Sequence, residues 1–272
     1  MGKQIRQLAR AKVNLTLHVG AVRDDGYHPV DSLVVFADIG DEVIFEPAAE
    51  TKLTIDGADN LPTGGNNLIL RAMDMIDCAP HRIHLVKNLP VSAGLGGGSA
   101  NAAVVLRQFG STLPNDHLAF NLGADIPVCQ ISKTALMRGI GEEVTLLPLL
   151  GQLSAVLVNP GVAVSTGEIF NAMDSAPREK TPKANVASGD LLSRALAGVN
   201  DMQDFAVTQA PIILDVLRAL AQQSGCELAR MSGSGATCFG IFRSDAQAAA
   251  AAKVISAAHT DWWVRSCRLG DA

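Results

Sequence analysis

The chain has 272 residues, 48% of them apolar and 18% charged, a composition typical of a globular protein with a substantial core and long enough for two domains. With a formal net charge of −5, the protein does not attract nucleic acid or anionic membranes electrostatically, so we expect neither as a partner. No apolar run approaches the roughly 18 residues of a membrane-spanning helix, and the basic N-terminus lacks the apolar stretch of a signal peptide.

In the first half of the chain, residues 11–19 alternate apolar and polar side chains, which is the period of a β-strand and puts Lys12 and Asn14 on the polar face. Residues 23–29 are predicted to form a turn. Further strands are predicted at 33–37, 42–46, 52–56 and 83–87, helices at 67–78 (with Asn66 or Asn67 as the cap), 99–110 and 117–122, and a hairpin at 134–146.

The segment LLPLLG (146–151) is the predicted crossing between two domains, residues 1–150 and 151–272. Beyond it we predict strands at 154–158, 227–231, 237–242 and 262–268, helices at 165–173, 190–197, 211–224 and 245–258, and a mobile polar loop at 174–189. Because strands alternate irregularly with helices, we predict an α+β protein in two layers. The five cysteines show no CxxC spacing, which indicates reduced thiols and a cytoplasmic location.

The most informative segment is PVSAGLGGGSANAA (90–103), in which four glycines stand within five positions before a predicted helix. Glycine allows a close approach of the backbone to a ligand, Ser99 can cap the helix, and unpaired amides at a helix start bind anions such as nucleotide phosphates. The pattern is not a Walker A loop, since no lysine follows, and Ser99 replaces the third glycine of a Rossmann fingerprint. A flexible linker is the alternative interpretation.

Four blocks resemble the GHMP kinases, a family named for galactokinase, homoserine kinase, mevalonate kinase and phosphomevalonate kinase. The blocks are the glycine loop, KVNLTLHV (12–19) with RDDGYH (23–28), LGADIPV (122–128), and MSGSGATCF (231–239). They span almost the whole chain, and DGYH is most similar to the branch that phosphorylates the 2-hydroxyl of 4-diphosphocytidyl-2-C-methyl-D-erythritol in the non-mevalonate isoprenoid pathway. The resemblance implies a two-domain fold, with an N-terminal βαβ-type domain and a C-terminal ferredoxin-like domain.

The same resemblance implies an ATP-dependent small-molecule kinase with two catalytic residues. From the residues alone, Asp125 is either a helix cap or a functional acid, and Lys12 either a solvated strand lysine or a group of the site. The family pattern implies that Asp125 accepts the proton of the substrate hydroxyl. It implies that Lys12 points into the site to stabilise charge, and that Asn14 helps to position the substrate.

For the cytidyl substrate, the resemblance implies recognition of cytosine by Tyr27 and His28, with Phe170 as the second side of an aromatic sandwich. From the residues alone, Tyr27 is equally a lid on a small core. Gly233 and Ser234 belong either to a tight turn or to the substrate site. The residues implied for ATP are Asn67, Lys87, Pro90, Val91, Ser92, Ala93, Gly94, Leu95, Gly96, Gly97, Gly98, Ser99 and Ala100.

Magnesium is expected to accompany ATP, and Ser99 is one candidate ligand, although its hydroxyl also suits a helix cap. The chain departs from its branch at Ser92 and Ala93, where glycines are usual. Two alternatives stay open, namely another GHMP kinase acting on mevalonate, homoserine or a sugar, and a non-catalytic nucleotide-binding regulator. No pattern in the sequence indicates an oligomeric state.

Overall fold

The computed structural model describes residues 3–58, 60–110, 119–175, 179 and 188–271, and this part of the chain holds eleven strands and eight helices. The strands are β1 (Ile5–Asn14), β2 (His18–Val19), β3 (Val30–Pro47), β4 (Lys52–Asp56), β5 (His81–Val86), β6 (Ala135–Gly139), β7 (Glu143–Leu146), β8 (Gln152–Asn159), β9 (Cys226–Met231), β10 (Cys238–Phe242) and β11 (Trp263–Gly270). The helices are α1 (Leu68–Met75), α2 (Gly97–Phe109), α3 (Ile126–Ile131), α4 (Thr166–Asp174), α5 (Leu191–Ala197), α6 (Gln203–Gln209), α7 (Ile212–Ala221) and α8 (Asp245–Ala258).

The long strand β3 is the centre of the N-terminal sheet, where it pairs antiparallel with β1, β2, β5 and β6. The prediction of two strands at 33–37 and 42–46 is wrong, because β3 runs continuously through the polar residues between them. Its partner β1 shifts register between Arg10 and Lys12, and the Arg10 guanidinium donates to the carbonyls of Phe36 and Ala37. The Arg10 side chain thus provides hydrogen-bond donors for the β3 carbonyls where the pairing with β1 is irregular, and β3 continues past this point.

The C-terminal half has the ferredoxin-like architecture that the resemblance implies. Its strands lie in the order β11-β8-β10-β9 and pair antiparallel, while α7 and α8 pack on this sheet. In chain order this is a β-α-β-β-α-β arrangement with additional helices in its first crossover. The predicted α+β fold is confirmed.

The two halves are joined by a pairing of Leu269 in β11 with Ala37 in β3. Among the described residues, two hydrophobic cores also contain side chains from both halves. The boundary predicted at residue 150 falls between β7 and β8 and stays a prediction. Within the described residues, no helix is long and apolar enough to cross a lipid bilayer.

Most remaining elements match the prediction to within three residues. The strand predicted at 11–19 is wrong, because β1 already begins at Ile5 and ends at Asn14, and β2 is a separate strand at His18–Val19. The six-residue helix α3 is absent from the prediction. Helix α6, only seven residues long, is too short for its period to be recognised and is absent from the prediction. Helix α2 begins at Gly97 rather than Ser99, as described below. The helix predicted at 117–122 and the loop predicted at 174–189 lie partly outside the described residues.

Candidate active site

The glycine-rich loop between β5 and α2 needs glycine at two positions. Gly94 and Gly96 have φ angles of +71° and +62°, in the left-handed region that side chains disfavour. A Cβ atom at Gly94 would lie 2.3 Å from the carbonyl oxygen of Ser232, and one at Gly96 would lie 3.2 Å from Cε of Lys12. The loop is therefore pressed against β1 and against the turn that follows β9.

The expected cap at Ser99 is wrong. Gly96 occupies the N-cap position, the amide of Ala100 donates to its carbonyl at 2.8 Å, and Ser99 lies inside the first turn of α2. The left-handed Gly96 turns the chain into the helix earlier than a serine cap would. The amides of Gly97, Gly98 and Ser99 accordingly have no partner within the helix, and together with the helix dipole they form an anion-binding end.

This helix end opens into a cavity of about 570 Å³. Most of the residues predicted to bind ATP line it: Asn67, Lys87, Pro90, Val91, Ser92, Ala93, Gly94, Gly96, Gly97, Gly98 and Ser99. Asp125 and Ser234 also line it, whereas the side chains of Leu95 and Ala100 are buried in the core. Asn67 is the N-cap of α1, as predicted, since its side-chain oxygen accepts from the amide of Ile69.

The two predicted catalytic residues form an ion pair at the wall of this cavity. Nζ of Lys12 lies 2.9 Å from Oδ2 of Asp125 and also donates to Oδ1 of Asn14 at 2.9 Å. Lys12 is 4% exposed, so the solvated-lysine alternative is wrong. Asp125 stands at the N-cap position of α3 but, among the described residues, its side chain caps no helix amide, and it remains 29% exposed.

Asn14 is held from both ends. Its Nδ2 donates to Oγ of Ser32 at 2.8 Å, and Ser32 donates in turn to the carbonyl of Thr16 at 2.6 Å. Its Oδ1 accepts from Lys12, as above. This chain of buried hydrogen bonds fixes the Lys12 ammonium beside Asp125.

Lys87 belongs to a second buried ion pair beneath the loop. Its Nζ lies 2.5 Å from Oδ2 of Asp41, whose Oδ1 accepts the amides of Asn88 and Leu89 at 2.9 Å each. A Cβ at Gly97 would lie 3.3 Å from Nζ of Lys87, so the pair braces the start of α2. Sequence reasoning missed Asp41, because nothing near it in the sequence distinguishes it from Asp38.

The turn after β9 is tied to both the loop and β1. Oγ of Ser232 accepts from the amide of Asn14 at 3.1 Å and donates to the carbonyl of Gly94 at 3.0 Å. The Asn200 side chain donates to the carbonyls of Met231 and Gly233 at 2.8 Å each. Ser232 and Asn200 are further residues that sequence reasoning missed, since their partners are distant in sequence.

Gly233 lies beside Asn14, and Ser234 lies on the wall of the cavity. A Cβ at Gly233 would lie 3.4 Å from Oδ1 of Asn14. Oγ of Ser234 lies 2.7 Å from Oγ1 of Thr166, and both residues line the cavity. The two residues therefore belong to a tight turn, one of the two interpretations of the sequence, and this turn also forms part of the wall of the site.

The predicted base-recognition residues are only partly brought together. The imidazole of His28 stacks on Phe170 with a centroid distance of 4.4 Å and an interplanar angle of 14°, and its Nε2 lies 2.8 Å from Oδ1 of Asp174. Tyr27 is 53% exposed, so it is not a lid on a core, and within the described residues no ring contact joins it to Phe170. Asp174 was not foreseen from the sequence.

The Cys129 thiol, which interacts electrostatically with Asp125 and Lys12, is unsuited to nucleophilic chemistry. Burial raises the pKa of the Cys129 thiol, and the charge of Asp125 raises this pKa further. Because the thiolate is the reactive form, Cys129 is an inert packing group.

Comparison with known proteins agrees with this geometry. Residues 67–132 match the family described as GHMP kinases N terminal domain, and residues 184–260 match the one described as GHMP kinases C terminal. A 4-diphosphocytidyl-2-C-methyl-D-erythritol kinase from Dinoroseobacter shibae is 48% identical over 96% of this chain and 94% of its own length. One from Cereibacter sphaeroides is 46% identical over 96% of this chain and 98% of its own length.

Solved structures point the same way. A 4-(cytidine 5'-diphospho)-2C-methyl-D-erythritol kinase superposes with a TM-score of 0.78 at 30% identity, over 98% of this chain and all of the other. Homoserine kinase from Cytophaga hutchinsonii, at 19% identity and a TM-score of 0.70 over 98% of this chain and 95% of its own, shares the fold. The chain therefore belongs to the GHMP kinase family, in its 4-diphosphocytidyl-2-C-methyl-D-erythritol kinase branch.

Proposed function

We propose that this protein transfers the γ-phosphoryl group of ATP to the 2-hydroxyl of 4-diphosphocytidyl-2-C-methyl-D-erythritol. The names of its relatives support the substrate. The observation that carries the chemistry is the Lys12–Asp125 pair, placed on the wall of the cavity into which the N-terminus of α2 opens.

The amides of Gly97, Gly98 and Ser99 bind the phosphates of the nucleotide in this proposal. They have no intrahelical partner, and the positive end of the α2 dipole adds to their attraction for an anion. Asn67 and the loop residues 90–94 form the remaining wall of the nucleotide site. The buried Asp41–Lys87 pair supports the loop from below, and the negative charge of Asp41 balances the positive charge of Lys87.

Asp125 acts as the general base. It accepts the proton of the 2-hydroxyl as that oxygen bonds to the γ-phosphorus, and the bond from this phosphorus to the bridging oxygen of ADP breaks. Lys12 contributes a fixed positive charge next to the oxygen and the transferring group. Both polar ends of Asn14 are engaged, so we assign it the positioning of Lys12 rather than contact with substrate.

Magnesium fits this site as a companion of the nucleotide. Among the described residues, no cluster of three His, Cys, Asp or Glu side chains forms a metal cage. Mg²⁺ bound to nucleotides keeps several waters and needs only one or two protein oxygens. The Ser99 hydroxyl lines the cavity and would hold the ion, which would supply charge neutralisation to the phosphates.

Tyr27, His28 and Phe170 form the cytosine site in this proposal, with Gly233 and Ser234 on the substrate side of the cavity. The exposed Tyr27 ring offers a stacking face, and the His28–Phe170 stack offers a polar ring edge beside a second aromatic layer. The proposal also includes a domain boundary near residue 150. It includes a cytoplasmic location as well, because all five cysteines are free thiols.

A coupled assay of ADP release tests the function. We expect turnover with the cytidyl substrate and little with mevalonate, homoserine or galactose. Equal turnover with an acceptor that lacks the cytidyl group would favour another GHMP kinase activity. Nucleotide binding by calorimetry without turnover on any acceptor would favour a regulator.

A further inference from the structure

Helix α4 holds the imidazole of His28 by two different contacts. Phe170 and Asp174 are four positions apart on this helix and so lie on the same face, one turn from each other. The Phe170 ring stacks on the imidazole, and the Asp174 carboxylate bonds to its Nε2 at 2.8 Å. The His28 side chain is only 6% exposed, so its orientation is fixed.

The carboxylate contact also decides which ring nitrogen carries the proton. An ionised carboxylate can only accept hydrogen bonds, so Nε2 of His28 must be the donor. In the neutral imidazole the other nitrogen, Nδ1, is then an acceptor. Nδ1 has no hydrogen-bond partner in the part of the chain that the structure describes.

We propose that Asp174 is a positioning residue that makes this kinase select cytosine over uracil through the tautomer of His28. Cytosine carries an amino group at position 4, which donates to Nδ1, whereas uracil carries a carbonyl there, which cannot. A base bonded edge-on to Nδ1 lies in the plane of the imidazole and hence parallel to the Phe170 ring. This inference rests on the proposed function, since it concerns the base of that same substrate.

The location of Asp174 favours a role at His28 over a role in the helix. It is the last residue of α4, where a negative charge interacts unfavourably with the helix dipole. The helix is capped at its other end, where Oγ of Ser165 accepts the amide of Glu168. Removing the Asp174 carboxylate should therefore leave α4 intact.

The test compares kcat/KM for the cytidyl substrate and for its uridyl analogue in the wild type, Asp174→Ala and Asp174→Asn. In Asp174→Ala we expect the preference for the cytidyl substrate to fall about tenfold, the value of one hydrogen bond, with KM for ATP unchanged. Asp174→Asn keeps an acceptor for Nε2 and should retain more of the preference. The matched control is Glu168→Ala, which removes an exposed carboxylate from the same helix.

Nitrogen NMR of labelled protein gives a second, activity-independent readout. The wild type should show the Nε2-protonated tautomer of His28, and Asp174→Ala should show a mixture of tautomers. An unchanged tautomer, or an unchanged cytidyl-to-uridyl preference in Asp174→Ala, would overturn the inference. Wild-type protein that shows the expected tautomer but fails to phosphorylate the cytidyl substrate would instead refute the proposed function.

Discussion

At the scale of single residues, the site depends on charges that are buried as pairs. Lys12 and Asp125 form one pair, and Lys87 and Asp41 form the other. The second pair is the more enclosed, since Asp41 is wholly buried and the hydrogen-bond partners of its carboxylate lie in the loop after β5 and in α2. A buried ion pair stabilises little in itself, but removing one member leaves the other charge without compensation.

We therefore predict that Asp41→Asn strongly destabilises the fold. The Lys87 ammonium would stay buried without a counter-charge, so the free energy of unfolding should fall by about 3–5 kcal/mol. Urea denaturation measures this change. The matched control is Glu42→Gln, which breaks an exposed pair with Arg6 and should cost less than about 1 kcal/mol. Equal, small effects of both substitutions would contradict the assigned role of Asp41.

Residue-level prediction from the sequence succeeded where a short motif holds the residue. Asp125 and the loop glycines were identified from local blocks, and the structure brings them to one cavity. Asp41, Asp174 and Ser232 escaped notice because each acts through a partner more than 45 positions away. Long-range polar contacts leave no local pattern in a single sequence.

At the scale of elements, the loop and helix α2 depend on the left-handed Gly96. We predict that Gly96→Ala lowers kcat/KM for ATP by about 10- to 100-fold, since the new methyl group strains the backbone and displaces Lys12. Steady-state kinetics with varied ATP measures this. Gly98→Ala is the control, since its Cβ meets only the flexible Leu68 side chain at 3.4 Å. A Gly96→Ala enzyme as active as Gly98→Ala would argue against this account.

The predicted bounds of an element are accurate where a capping residue and the spacing of apolar residues indicate the same start and end. Helix α8 runs from Asp245 to Ala258 as predicted, with Ser244 as its cap. The errors at β3 and α2 have different causes, since a long-range side-chain contact accompanies the first and the local backbone conformation of one glycine produces the second. Arg10 keeps β3 continuous through polar residues, and Gly96 replaces Ser99 as the helix cap.

At the scale of the whole molecule, the site is built from both halves of the chain. Ser232 links the C-terminal turn to Asn14 and Gly94, and one core contains residues from β1, β3, β8, β10 and β11. We therefore predict a single cooperative unfolding transition. Tryptophan fluorescence, which reports on Trp262 and Trp263, and far-UV circular dichroism should give the same urea midpoint. Separate midpoints would show that the halves unfold independently.

The proposed mechanism requires Asp125 to take the proton from an alcohol while the helix end at Gly97 binds ATP. Asp125→Asn tests it most directly, because the amide keeps the size of the side chain but cannot act as a base. We expect turnover to fall by at least ~10²-fold while the calorimetric affinity for nucleotide stays near that of the wild type. Near-normal turnover in Asp125→Asn would show that Asp125 is not the base.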